Sequence, residues 1–189
     1  MIKVAMCVSE AVPYAKTGGL ADVAGALPKA LNRLGVKTIV IMPGYGFIFE
    51  RNFNLDKVRE NIEVKINDFY IEKFDLYKSS NDGVDFYFVK NDGFFNRENL
   101  YGTPQGDYED NYIRFGFFSK SIFKVLEEIS FAADIIHLHD YHFALASLFL
   151  KDMQRTDFLN DASGIYKNIL KNTKVVFTIH NIAYQGIFN

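Results

Sequence analysis

The stretch Ile2–Pro43, IKVAMCVSEAVPYAKTGGLADVAGALPKALNRLGVKTIVIMP, decides the fold. Ile2 to Val8 is a β-rich apolar run, and the loop SEAVPYAKTGG follows it. From Leu20 the apolar residues Leu20, Val23, Ala24, Leu27, Leu31 and Leu34 recur at the spacing of one helix face. Pro28 falls inside that pattern and is expected to kink the helix or loosen one turn, since it has no backbone N–H to donate. Gly35 stands where a helix C-terminal cap belongs, and Val36 to Met42 reads as a second buried strand ending at Pro43. Strand, glycine loop, helix, strand is a βαβ unit, with a right-handed crossover expected.

Outward from this unit the pattern changes and then returns. Between Phe49 and Lys90 the segments IEVKIN, FYIEKFDLYK and VDFYFVK are short and partly alternating, and Asp82-Gly83 supplies a hairpin turn. A β-rich insertion or an antiparallel edge is expected there. Asn91 to Asp110 is polar and turn-rich. A helix is expected from about Glu109 to Ile129, with Ile113, Phe117, Ile122, Val125, Leu126 and Ile129 inward. Asp134–Leu138 reads as a buried strand, Phe143–Met153 as a helix, Arg155–Asn168 as a polar stretch and Lys174–Ile179 as another buried strand. Strands apolar on both sides and separated by helices predict an α/β fold: a Rossmann-like, doubly wound, mostly parallel sheet. The chain stops about ten residues past its last strand, which suggests one domain over 1–189 cut from a longer protein.

Composition narrows the function classes. The 189 residues are 49% hydrophobic and 23% charged, an ordinary globular balance. The net charge of −2 carries no basic excess that would advertise a nucleic-acid partner. The single cysteine, Cys7, can form no internal disulfide and no four-cysteine zinc site. The apolar start meets Ser9 and Glu10 too early for a signal peptide and falls far short of the roughly 18 apolar residues of a membrane span. A cytoplasmic chain with no membrane partner is expected. With 19 Phe, 11 Tyr and no Trp, the core must lean on Phe.

Three polar clusters follow three strands: Lys16-Thr17-Gly18-Gly19, His139-Asp140-Tyr141-His142 and His180-Asn181. In an open α/β sheet, ligands bind outside the carboxyl ends of the strands, so all three map to one rim. Lys16-Thr-Gly-Gly opens a helix, whose N-terminus favours anions, and the glycines let a ligand approach the backbone. It is neither GxGxxG nor GxxxxGK[ST], so no dinucleotide or NTPase motif is present. A plain glycine turn with a solvated lysine is the alternative. His137-Leu-His139-Asp140-Tyr-His142 invites a metal reading, but the aspartate falls one place earlier than in the HxHxDH hydrolase pattern and no distant cluster completes a shell. No metal or cofactor is therefore assigned. Asp140 suits an N-cap of the next helix, a ligand contact, or both. His137 reads as a satisfied core histidine. His180-Asn181-Ile-Ala-Tyr184-Gln185-Gly186 gathers polar and aromatic groups on the same rim.

At these residues the chain resembles the N-terminal half of bacterial glycogen synthases and plant starch synthases, retaining glycosyltransferases of the GT-B type. The resemblance lies in Ser9-Glu-Ala-Val-Pro-Tyr-Ala-Lys-Thr-Gly-Gly-Leu-Ala-Asp-Val, Ala26-Leu-Pro, Met42-Pro-Gly-Tyr, Leu100-Tyr-Gly, Asp110-Asn with Arg114-Phe, His137-Leu-His-Asp-Tyr-His and Thr178-Ile-His-Asn-Ile-Ala-Tyr-Gln-Gly. It implies glucosyl transfer from ADP-glucose to the non-reducing end of an α-1,4-glucan. It also implies roles for residues. Lys16, Gly18 and Gly19 would contact the diphosphate, and Asp22 would stand at the cleft wall. Asp140 and His180 would sit at the reacting sugar, with Asn181, Tyr184 and Gln185 lining the substrate site. The family's C-terminal domain, which holds most of the nucleotide recognition, is the partner this chain lacks, so the chain alone is expected to be inactive. Tyr141 stands where the family often has Trp. Phe94-Phe95-Asn96-Arg97 replaces its usual aromatic pair followed by Asp-Arg, so no sugar-contacting tyrosine is assigned there. Two other classes remain open: a metal-dependent hydrolase using the histidine cluster, and a noncatalytic glucan-binding module presenting the aromatic-rich middle.

Overall fold

Strand β1 (Lys3–Cys7) is the point from which the sheet is wound in both directions. The computed structural model describes residues 1–155 and 169–187, so the stretch from Thr156 to Asn168 lies outside the described residues. From β1 the chain passes through α1 (Gly19–Arg33) to β2 (Lys37–Pro43) and a short α2 (Gly46–Glu50). It then forms β3 (Asp56–Asn67), β4 (Tyr70–Asn81) and β5 (Val84–Lys90). A short α3 (Asp92–Phe95) and a two-rung hairpin, β6 (Gly102–Thr103) and β7 (Gly106–Asp107), lead to α4 (Asn111–Glu128). Strand β8 (Ile135–His139), a 3-10 turn (Tyr141–Phe143), α5 (Ala144–Arg155) and β9 (Lys174–Thr178) complete the described elements.

The seven-stranded sheet has the order β3-β4-β5-β2-β1-β8-β9. Strands β5, β2, β1, β8 and β9 are parallel, while β3 and β4 form the antiparallel edge expected of the middle segment. Strand β5 belongs to both systems, pairing parallel with β2 and antiparallel with β4. The β4–β5 turn is built on Asp82 (φ 50°) and Gly83 (φ 76°), the left-handed pair that a two-residue hairpin requires. Because the chain winds to one side of β1 first and to the other side later, right-handed crossovers set α1 on one face and α4 with α5 on the other. Val4 to Cys7 and Ile39 to Met42 are buried, as strands covered on both faces must be.

Helix α1 differs from its sequence reading in two respects. It continues unbroken through Pro28 to Arg33, and Pro28 itself is buried. Its inward face is Leu20, Ala21, Ala24, Gly25 and Pro28, while Val23 is 38% exposed and Leu34 is 79% exposed. The smaller residues face inward because the loop after β1 lies directly on the helix: a Cβ on Gly25 would collide with the Val12 side chain and approach its carbonyl. The helix ends as expected at Gly35 (φ 80°), whose N–H bonds Asn32 O while Val36 N–H bonds Leu31 O. These two bonds close a Schellman motif. On α4, Phe117, Ile122, Val125 and Leu126 are buried as read, whereas Ile113 is half-exposed.

Candidate active site

Strand order reverses between β1 and β8, and both neighbours end in polar loops at their carboxyl ends. In a doubly wound sheet this switch point opens a crevice. The loop after β1 is organised by Glu10, which is almost wholly buried. Its carboxylate accepts the N–H of Thr17, the N–H of Gly18 at 3.0 Å and the Thr17 hydroxyl at 3.0 Å. Gly18 is the N-cap of α1 and has no side chain to cap with, so Glu10 reaches back along the chain to do it. The amides of the first helical turn, from Gly19 onward, keep no intrahelical acceptor. Apart from its chain neighbours and its own helix backbone, Gly19 has no atom of the described residues within 4 Å of where a Cβ would stand. Lys16 contacts both carboxylate oxygens of Asp22 at 2.7 Å, and both side chains are about half exposed.

The loop after β8 turns on Asp140, whose backbone (φ 61°, ψ 174°) lies in a region that is essentially glycine's. Its carboxylate does not cap the following turn, one of the roles its position suggested. Instead, Oδ1 accepts the backbone N–H of His180 at 2.7 Å, and the Asp140 N–H bonds Thr178 O at 2.9 Å. Two bonds thus tie the ends of β8 and β9 together. A non-glycine residue held there costs of order 1–3 kcal/mol, and the ties hold it.

Three of the four histidines come together, with the His137 and His139 ring centroids 4.1 Å apart and those of His139 and His180 5.0 Å apart. His137 Nε2 meets the Thr178 hydroxyl at 2.8 Å. His139 is fully buried, and its Nδ1 lies 2.7 Å from His180 Nε2. His142 stacks on Tyr141 and on Tyr101, with ring centroids at 3.9 and 4.8 Å. Burial holds the His139 and His142 rings down to about 3, so both are uncharged at neutral pH. Among the described residues no three His, Cys, Asp or Glu side chains are grouped to hold a metal ion.

The third wall comes from the segment before α4. Tyr101 OH and Ser9 Oγ share a 2.6 Å hydrogen bond. Tyr101 O accepts from Asn111 Nδ2 at 2.8 Å. Arg114, fully buried, donates to Phe94 O at 2.7 Å, Asn111 Oδ1 at 2.6 Å and Leu100 O at 3.1 Å. Arg97 grips Asp110 with two bonds of 2.8 and 2.6 Å. Asp110, Asn111 and Arg114 are therefore the frame that positions Tyr101. Tyr141 is closed over from the other side by Gly186 (φ 66°), where a side chain would strike the Tyr141 ring.

Together these walls enclose a cavity of about 660 Å³, within the roughly 300–1,000 Å³ of small-molecule sites. Of the residues singled out from sequence, Gly18, Gly19, Asp140, His180, Asn181 and Tyr184 line it. Lys16 and Asp22 do not; they pair beside Thr17, which does line it. Gln185 lines an adjoining groove of about 240 Å³ with Tyr141 and Asp107. Thr17 and His142, members of two of the rim clusters with no assigned role, also line the cavity, and Glu10, Tyr101 and Asp107 line it without having been singled out as site residues from sequence. Glu10 and Tyr101 lie within the family-like stretches, but no local pattern shows that either turns into the crevice.

The starch synthase catalytic domain family model matches residues 3–189. Glycogen synthase 2 of Geobacter sulfurreducens is 42% identical over 187 residues, which is 99% of this chain and 36% of that protein. The glycogen synthase of Aquifex aeolicus is 39% identical over 189 residues, again covering 99% and 36%. The catalytic domain of starch synthase IV from Arabidopsis thaliana, solved bound to ADP and acarbose, aligns with a TM-score of 0.78 at 28% identity. That alignment spans 98% of this chain and 35% of the plant chain. This chain therefore spans little more than a third of the length of the proteins it matches. With the family model covering nearly its whole length, the chain belongs to the starch synthase catalytic domain family.

Proposed function

We propose that this chain is the N-terminal half of a two-domain glycogen synthase of the GT-B type. On this reading the completed protein is cytoplasmic and transfers glucose from ADP-glucose to the non-reducing end of an α-1,4-glucan with retained configuration. The observation that carries it is the meeting of Gly18-Gly19, Asp140 and His180 in one cavity at the switch point. These residues lie up to 162 positions apart in a chain whose relatives are glycogen synthases.

Each wall has a chemical task in that reaction. Breaking the sugar–phosphate bond leaves negative charge on the departing diphosphate. The first-turn amides of α1 from Gly19 onward, with Lys16 next to them, are placed to take up that charge. Glu10 already satisfies Thr17 and Gly18, so Gly18 serves by its position rather than by donating its N–H. Asp22 holds Lys16 near the cavity while no diphosphate is bound. His180 and Asp140 face the reacting sugar, with Asn181 beside them. Tyr184 and Gln185, with Tyr141 and Asp107, line the approach along which a glucan would lie. The absent half closes the cleft and supplies the rest of the nucleotide site, so residues 1–189 alone have negligible transferase activity.

The test is a nucleotide-sugar panel with glycogen as acceptor, run on the two-domain protein. ADP-glucose is expected to give glucan elongation, and Lys16→Ala to lower kcat/KM by the equivalent of about 2–4 kcal/mol. No transfer from any nucleotide-glucose, or an unchanged kcat/KM in Lys16→Ala, would contradict the reading.

A further inference from the structure

The ring of His180, which lines the cavity, meets the buried ring of His139, and the contact has a consequence for His180. His139 is fully buried on β8 and uncharged, and its Nδ1 sits 2.7 Å from His180 Nε2 with the rings stacked at 5.0 Å. Where both rings are uncharged, one hydrogen lies between these two nitrogens, donated by one ring and accepted by the other. The other ring nitrogen of His139, Nε2, is also buried, and no polar atom of the described residues bonds it. If His139 carried its proton on Nε2, that N–H would be a buried donor without a protein acceptor. If it carries the proton on Nδ1, only a lone pair is left, and orphaned donors are the rarer and costlier case.

We infer that His139 is a positioning residue: it donates Nδ1–H to His180 Nε2 and so fixes His180 as the Nδ1–H tautomer, which meets its ligand in the cavity as a hydrogen-bond donor. The identity of the group on one ring nitrogen decides the proton on the other. His180 lines the cavity, so the remaining nitrogen, Nδ1, is the one left to serve a ligand. A donor there suits a ligand oxygen, such as a sugar hydroxyl or an oxygen gaining negative charge, and does not suit proton abstraction by a neutral ring. Asp140 adds to the arrangement by holding the His180 backbone N–H at 2.7 Å, so main chain and ring are both pinned. The role as donor to a sugar rests on the glycogen synthase reading; the tautomer itself does not.

The test is nitrogen-15 NMR of the His180 ring at a pH where it is uncharged, in the wild-type chain and in His139→Leu and His139→Asn. In the wild type, Nδ1 is expected to carry the proton and Nε2 to be the bare nitrogen. His139→Leu should release His180 toward the Nε2–H tautomer, whereas His139→Asn, whose amide can donate from nearly the same place, should restore Nδ1–H. In the two-domain protein His139→Leu should lower kcat about 10- to 100-fold, and His139→Asn should recover most of the loss. A proton on His180 Nε2 in the wild type would overturn the inference, even where His139→Leu fails to fold. An unchanged tautomer in His139→Leu would overturn it too. The predicted tautomer in a protein that transfers no glucose would instead uphold the inference about the ring and remove the reading of the reaction.

Discussion

The carboxylate of Asp140 accepts the backbone N–H of His180 at 2.7 Å, across 40 residues of sequence. Asp140 follows β8 by one residue and His180 follows β9 by two, and the bond sets the two loops at a fixed separation on the rim of the cavity. It also explains how an aspartate stays in a backbone conformation (φ 61°, ψ 174°) that glycine would adopt without strain.

Asp140→Asn and Asp140→Ala should therefore differ. Asparagine keeps an oxygen for the His180 N–H, whereas alanine does not. In urea denaturation the alanine variant is expected to be less stable than the asparagine variant by about 1–3 kcal/mol. Equal midpoints would show that the bond does not hold the turn.

Glu10 caps α1 from outside the helix. Glu10→Ala strips the acceptor from the Thr17 and Gly18 amides and is expected to cost about 1–2 kcal/mol. Glu10→Gln keeps an acceptor and loses the charge facing the helix dipole, so it should cost less. Thermal unfolding that ranks glutamine at or below alanine would contradict this assignment.

Arg114 holds the segment carrying Tyr101 by three hydrogen bonds that no shorter cation can reproduce. Arg114→Leu leaves the carbonyls of Phe94 and Leu100 and the side-chain oxygen of Asn111 without their donor. The expected cost is about 2–4 kcal/mol, since a buried acceptor that loses its partner costs about 1–3 kcal/mol and not all three remain dry. Limited proteolysis should show faster cutting between Thr103 and Asp107 in the variant. An unchanged cutting pattern would mean that other contacts hold the loop.

Buried histidines make stability depend on pH. Free histidine titrates near 6.5, and burial holds His139 and His142 down to about 3. Between those values the unfolded chain binds more protons than the folded one. This stability is fully present above pH 6.5 and is lost as pH falls toward 3, by about 1.4 kcal/mol per pH unit for each ring. Urea midpoints at pH 7, 6 and 5 should fall in step. His142→Phe, which keeps an aromatic ring in the Tyr101–Phe115 cluster, should make the decline shallower; an identical slope would contradict the effect.

Most of the scaffold was legible in the sequence because it rests on local pattern. Burial on both faces writes β1 and β2 as largely apolar runs, and Gly35 and Asp82-Gly83 mark a helix end and a turn by the backbone angles they permit. The inward face of α1 was misread because periodicity ranks Val23 and Leu34 above Gly25. What decides that face is the closeness of Val12, a contact made by a different segment. The site was legible as three clusters on one rim, since strand polarity alone puts them there. Its internal bonding was not. Arg114 reaching Phe94 and Leu100, and His139 meeting His180, depend on where separate segments come together, and no spacing within one segment reports that; Glu10 turns back to Thr17 within one irregular loop, whose path follows no period. Lys16 pairs with Asp22 beside the cavity and does not line it.

The most direct measurement is kcat/KM for ADP-glucose, with glycogen as acceptor, of the two-domain protein and its His180→Ala variant. A fall of about a hundredfold or more is expected, the scale for losing a donor aimed at the reacting groups. A variant that transfers glucose as efficiently as the wild type would place the chemistry outside the cavity that Gly19, Asp140 and His180 enclose.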